Sequence, residues 1–394
     1  MRITGVRELS VRLEGNIANS LVNFSEHTIS LVALSTDAKR NGKPVVGYAF
    51  DSIGRYAQSG LLRERFIPRL LAADPAELLD AAGTNFDPAR VAGVLMRNEK
   101  PGGHGDRAAA VGALELAIWD INAKLNGEPA CWTLARAAGR TLPASASDIR
   151  VPVYAAGGYY YAEDGVERLQ AEFRRYQDLG FTKFKMKIGG TSLANDIRRI
   201  EAAIDVVGSG AALSVDANGR FDLSTALAYA GAMEQYGLRW YEEIGDPLDY
   251  DLNRQVAQAY PGRIATGENL FSNQDVKNLV LFGGMRPNLD VFQMDPGLAY
   301  GITEFLNMMQ TLESHGFDRS HMQPHGGHLI NLHVAAGLGL GGCEAYPGVF
   351  QPFGGYAPGC SLGEGYVSPT DAPGFGLEQK TELQPYLKQL SFNH

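Results

Sequence analysis

The feature that most constrains this chain is a strand-then-helix rhythm that begins at Val151 and runs to about residue 346. Candidate strands are VPVYAAG at 151, KFKMKI at 183, LSVDA at 213, RWYEE at 239, IATGE at 264, DVFQM at 290, HMQP at 321 and CEAYP at 343. Helix-period patterns fill the gaps, as over 165–179, 194–206, 223–236 and 301–314. Strands that alternate with helices in this way predict an α/β fold whose parallel strands close into a barrel. A doubly wound open sheet is the alternative. It usually carries an early glycine fingerprint, and no G-x-G-x-x-G follows a strand here, so nucleotide binding has little support.

Ahead of the rhythm, 1–13 and 28–34 read as strands, and 60–73 and 107–125 as helices. The second helix has Ala110, Leu114, Ile118, Trp119 and Ile121 at helical spacing, with Gly127 as its stop. The polar run 98–105 is a loop, and 138–150 a linker into the repeating part. After Tyr346 the chain is rich in Gly and Pro and ends in a helix-like 380–390. No barrel unit is left for that tail, so it is expected to pack back on the amino-terminal part. At 394 residues the chain exceeds one ordinary domain. The division that follows is a cap over 1–145, a barrel over 146–350 and a returning segment over 351–394.

Composition excludes some partners. A formal charge of -9 argues against nucleic acid and anionic membrane surfaces, which need concentrated Lys and Arg, but leaves a small anionic substrate open. Cys131, Cys343 and Cys360 form no CxxC and no even framework, which favours a reducing compartment. The opening MRITGVRELSVRLEG has no apolar leader core, and no stretch reaches the roughly 18 apolar residues of a membrane span. A cytoplasmic protein is expected.

The chemistry lies in the charged residues at the strand ends. Asp216, Glu242 and Glu268 each end a candidate strand, at 26-residue intervals. Asp295, His325 and Glu344 end the next ones, and Lys187 precedes them all. A barrel gathers its strand ends on one face, so residues distant in sequence converge there. Three carboxylates from adjacent strands are oxygen ligands for a hard cation, and Mg²⁺ is the natural choice. Taken singly, each residue has a plainer reading. Asp216 and Glu268 could cap the following helices, Glu242 or Glu243 could be a solvated loop acid, and His325 in QPHGG could be a turn histidine. His321, His328 and His333 are read as structural. Lys185 and Lys187 share one face of their strand, and a surface face is usual. Here Phe184, Met186 and Ile188 point the opposite way, which in a barrel sends the lysines inward. Seven charged residues in register at seven successive strand ends are more than capping alone would produce.

These residues resemble the mandelate racemase subgroup of the enolase superfamily, and within it the D-tartrate dehydratases. The likeness rests on K-x-K at Lys185–Lys187, Asp216 in SVDANG, Glu242 in RWYEE, Glu268 in TGEN, Asp295 in QMDPG, His325 in QPHGG and Glu344 in GGCEAYPG. One departure is Glu242-Glu243-Ile244-Gly245-Asp246-Pro247, where the family commonly reads Glu-Glu-Pro. The resemblance implies a modified (β/α)7β TIM barrel under an α+β cap built from both termini. It also implies one Mg²⁺ per subunit on Asp216, Glu242 and Glu268, and a homo-oligomer, often an octamer. The implied reaction is dehydration of a hydroxy-diacid or acid sugar, D-tartrate to oxaloacetate and water. Lys187 is then the base, acting as a free amine that Lys185 and the metal favour. His325, oriented by Asp295, is the acid. Lys185 and Glu344, the latter as a possible neutral donor, hold the substrate carboxylate, and Asn218 meets a hydroxyl. A racemase would use the same residues, and a silent acid-binding barrel is the contrasting class. Specificity is expected from cap loops over 15–24 and 50–60, from Tyr159 and Tyr160 just past the first barrel strand, and from Lys100 or Arg55 at the substrate's far end. The tyrosines could equally pack against the cap.

Overall fold

A computed structural model describes residues 1–15, 17–102, 104–161 and 165–392. Asn16 of the 15–24 loop, Gly103 of the 98–105 loop and the last two residues of the tail lie outside the described residues. The amino-terminal part is an antiparallel sheet in the order β1 (Ile3–Arg12), β2 (Thr28–Arg40), β3 (Lys43–Phe50). Against it lies the long helix α1 (Asp106–Asn126). Its apolar spacing suggests one buried face, but every residue from Ala108 to Lys124 is buried, because the helix is covered on two sides. Gly47 of β3 lets the sheet approach: a Cβ there would stand 2.3 Å from Ala117 O. On the other side a Cβ at Gly112 would stand 2.3 Å from Ala299 O of the barrel.

The repeating part forms a ring of parallel strands: β4 (Val151–Gly157), β5 (Phe184–Lys187), β6 (Leu213–Asp216), β7 (Trp240–Glu242), β8 (Ile264–Thr266) and β9 (Val291–Phe292). β10 (Cys343–Ala345) pairs with β4. Between β9 and β10 the expected strand at 321 is a single parallel bridge, Phe292 to Met322. Pro324 has no N–H to continue a ladder, but its carbonyl accepts from Glu344 N–H at 3.2 Å and completes the ring. Around the ring run α2 (Gly165–Asp178), α3 (Leu193–Val207), α4 (Leu223–Met233), α5 (Tyr250–Ala259), α6 (Asn273–Phe282), α7 (Ile302–Ser314) and α8 (Leu329–Leu338). Ser192, Asp222 and Ser272 cap three of them at the amino end, Ser272 in a full capping box with Asp275. Covered by helices outside and filled inside, most strand residues are buried, as a parallel sheet demands.

The tail does two things. A hairpin, β11 (Ser361–Gly363) and β12 (Tyr366–Ser368), pairs antiparallel with the start of β4, an attachment to the barrel that the sequence reading lacked. Beyond it the chain returns to the cap, where Phe375 N–H meets Asp120 and Ser391 O accepts from Arg7. No helix among the described residues is long and apolar enough to cross a membrane.

Candidate active site

Lys185 and Lys187 point into the barrel, 1% and 6% exposed. Lys185 Nζ is held by Glu242, by Glu344 at 2.7 Å and by Asp216 at 3.3 Å. Burial disfavours its charge, but these three acids outweigh that and keep the ammonium well above its usual range. Lys187 Nζ lies 2.5 Å from Asp216 Oδ2 and 5.5 Å from the centre of the Tyr159 ring. Burial would raise the Asp216 carboxyl, yet Lys187 and Lys185 pull it below the ordinary range. Asp216 Oδ1 also accepts from Asn218 N–H, and Asn218 sits at φ 52°, a left-handed turn that Asn tolerates.

Across the mouth stands His325. Its Nδ1 lies 3.0 Å from Asp295 Oδ2, and its Nε2 is 3.1 Å from Tyr346 Oη, 3.6 Å from Glu268 and 4.0 Å from Glu344. Burial opposes charge on the ring. Glu268, Asp295 and Glu344 outweigh it and push His325 up to about 10. Glu344 accepts from Lys185 and from Gly326 N–H at 2.9 Å. Burial would raise it, but Lys185 and His325 hold it below the usual range, so it is an acceptor here and the neutral-donor role is not met.

The second metal-ligand strand departs most from expectation. Glu242 faces the barrel interior, its Oε2 accepting from Trp240 Nε1 at 2.7 Å and Gln293 Nε2 at 2.9 Å. Strand alternation should send Glu243 outward. Instead its φ of 44° turns it into the mouth, where Asn269 Nδ2 (2.6 Å) and Asn218 Nδ2 (3.4 Å) donate to it. Burial first, then Glu268, Asp216 and Glu242, push the Glu243 carboxyl well above its usual range. An acid raised by neighbouring acids marks a place where a cation would relieve repulsion, and the donors are hard oxygens. The side chains are not yet arranged around one point, however. Asp216 and Glu242 are turned to the lysines, and no three His, Cys, Asp or Glu among the described residues form a ready metal site.

A cavity of about 270 Å³ opens beside Glu243 and Glu268, lined also by Asn218, Asn269, Arg55 and Asn19. Both cap loops reach it. Ser20 Oγ donates to Ala217 O at 2.9 Å, and Arg55 bonds Asn269 and lies over Phe271. Asn218 Oδ1 is buried with no hydrogen-bond partner among the described residues, which leaves it open to a ligand hydroxyl. Lys100 is exposed and lines none of this cavity, because Arg107 grips the Lys100 and Gly102 carbonyls and draws that loop to the start of α1. Tyr159 is buried among Phe24 and Phe350, between the lysines and the cap. Tyr160 turns away, donating to Asp196.

Residues 168–383 match the family model described as Enolase C-terminal domain-like, which is more than half of the chain. This chain belongs to the enolase superfamily. Within that superfamily it is 31% identical over 306 residues to the L-talarate/galactarate dehydratase of Salmonella typhimurium, covering 76% of this chain and 69% of that one. It is 27% identical over 327 residues to the arabinonate dehydratase of Saccharolobus solfataricus, covering 82% and 80%. Among solved structures, a racemase from Streptomyces coelicolor with bound magnesium superposes with a TM-score of 0.77 at 24% identity, covering 99% and 100%, and shares the fold.

Proposed function

We propose that this enolase-superfamily member is a magnesium-dependent dehydratase of a hydroxy-diacid or acid sugar, with D-tartrate to oxaloacetate and water as the first reaction to test. The observation that carries the reading is a buried lysine, Lys187, facing the Asp295-bonded imidazole of His325 across one acid-lined mouth. The dehydratase relatives and the D-tartrate resemblance of the strand-end motifs support it.

Lys185, an ammonium among acids, holds the substrate carboxylate, and Lys187 Nζ takes the α-proton. Asp216, Glu242 and Glu268 would hold Mg²⁺, with Glu243 as the competing second acid. When bound, the ion supplies positive charge beside the carboxylate oxygens as the α-proton leaves. His325, kept upright by Asp295, gives its Nε2 proton to the departing β-hydroxyl. Loss of water leaves an enol that tautomerises to the 2-keto acid. Asn218 Oδ1 accepts from a substrate hydroxyl, and Arg55 of the cap meets the distal carboxylate, which would be costly to bury unpaired. Assembly as a homo-oligomer belongs to the same proposal.

The test is the purified protein with Mg²⁺ against D-, L- and meso-tartrate and a panel of acid sugars, scored for 2-keto acid. Oxaloacetate from D-tartrate alone is the expected result. Keto product from another acid sugar moves the substrate but keeps the reaction. Inversion of a hydroxy acid with no keto product overturns the dehydratase in favour of a racemase.

A further inference from the structure

Ser52 comes from the cap, two residues past β3, and is fully buried against the barrel. Its N–H donates to Gly297 O at 3.3 Å and its Oγ lies 2.9 Å from His328 Nε2. Counting hydrogens gives these bonds a direction. His328 caps α8, with Nδ1 accepting from Asn331 N–H, so the proton of the neutral ring sits on Nε2. The ring is buried edge-on to Phe50, and burial pushes it down to about 4, so it is neutral. The Asn331 amide hydrogens go to His325 O and Gly326 O, which leaves His328 Nε2–H to donate to Ser52 Oγ. The Ser52 hydroxyl then keeps its own hydrogen, and the Asp295 carboxylate stands beside it against Gly326. Asp295 in turn accepts from His325 Nδ1–H and, at Oδ1, from Gly297 N–H at 2.8 Å.

The packing leaves this chain no slack. A Cβ at Gly326 would stand 2.7 Å from both Asp295 Oδ2 and Ser52 Oγ and 2.9 Å from His328 Nε2. One at Gly297 would stand 2.8 Å from Ser52 Cβ.

We infer that Ser52 is a positioning residue for the proton donor: with His328 behind it, the cap serine fixes the Asp295 carboxylate, and through it the aim of His325 Nε2 into the mouth. The inference rests on the dehydratase reading above. It makes acid assistance, but not α-proton abstraction, depend on how the cap is docked. Lys187 lies on the far side of the mouth and shares none of these hydrogen bonds.

The experiment uses the full-length protein with Mg²⁺ in D₂O and D-tartrate, or whichever acid in the panel the wild type turns over. It measures deuterium entering recovered substrate beside keto acid formed. In Ser52→Ala, keto-acid formation should fall about 10- to 100-fold, the scale for partners one step behind a reacting group, with KM within about twofold. Deuterium exchange should persist, so exchange per turnover should rise at least about 10-fold over wild type. His328→Asn keeps a good helix cap, withdraws the Nε2–H, and should move the same ratio the same way. An unchanged ratio in both variants, or exchange and product falling together, overturns the role of Ser52 and leaves the dehydratase standing. A wild type inert towards every acid overturns the dehydratase reading and this inference with it.

Discussion

Lys185 is enclosed by Glu242, Glu344 and Asp216, whereas among the described residues the one acid that pairs with Lys187 is Asp216. The three acids lock Lys185 as a cation suited to holding an anion, and Lys187, with the Asp216 carboxylate beside it, is the lysine proposed as the base. Lys187→Ala should therefore abolish exchange of the α-proton with solvent deuterium, and Lys185→Ala should chiefly raise KM. His325→Asn should keep that exchange while dehydration drops by roughly 10²- to 10⁴-fold, the usual worth of a general acid. Near-native exchange in Lys187→Ala would move the base elsewhere. The acids call for a separate measurement. Chelation should stop turnover and Mg²⁺ restore it, and Mg²⁺ binding followed by calorimetry should weaken in Asp216→Asn, Glu268→Gln and Glu242→Gln. Glu243 is the rival ligand, since it stands with Glu268 at the cavity while Glu242 is bonded to Lys185, Trp240 and Gln293. If Glu243→Gln loses more Mg²⁺ affinity than Glu242→Gln, the ligand is Glu243. Nothing in WYEEIG foretells a glutamate at φ 44°, a conformation that costs on the order of 1–3 kcal/mol and persists only where surroundings enforce it.

At the scale of elements, the strand ends were legible because a barrel turns sequence order into angular order, so Lys187, Asp216 and Glu242 could be placed in register without any contact being known, while Glu268 falls two residues past its strand. Elements whose local signals conflict were not. β3 contains Pro44 and Gly47, which argue against a strand, yet Gly47 is what lets α1 approach. Ser52 carries no signal at all, because its partners lie more than 240 residues away, His328 at a separation of 276. The 50–60 loop was legible only as a loop, and the structure separates its residues: Tyr56 is 55% exposed while Arg55 reaches the cavity. Hence Arg55→Ala should cost a diacid substrate about 10- to 100-fold in kcat/KM, the worth of one hydrogen bond to a charged group, and a monoacid of similar size much less. Lys100→Ala should change neither by more than about twofold, since a surface charge away from the site contributes little. Equal losses for diacid and monoacid in Arg55→Ala would remove the distal-carboxylate contact.

Across the whole molecule, segments distant in sequence are fastened at one buried point. Asp120 of α1 accepts from Tyr48 N–H of β3 at 2.8 Å and from Phe375 N–H of the tail at 2.7 Å, and its carboxylate lies 2.6 Å from Lys124 Nζ. Lys124 also donates to Val46 O at 2.9 Å and pairs with Glu378. Burial raises the Asp120 carboxyl to about 6, with Lys124 opposing, so the pair is costly to bury and is held by the two backbone donors. Removing one partner leaves the rest uncompensated. Asp120→Ala leaves the Tyr48 and Phe375 amide hydrogens unmatched and Lys124 with only Val46 O and the half-exposed Glu378, and should lower unfolding stability by about 3–5 kcal/mol, read as a shift in denaturant midpoint. Glu378 is 41% exposed on its side chain, and Glu378→Gln should cost less than about 1 kcal/mol. Because α1 also abuts the barrel at Ala299, four residues past Asp295, loosening the tail should reach the acid side of the mouth before the lysine side. In Asp120→Ala, at temperatures where the fold persists, dehydration should then fall more than α-proton exchange. Equal decline of both would mean that the tail stabilises the molecule without steering its chemistry.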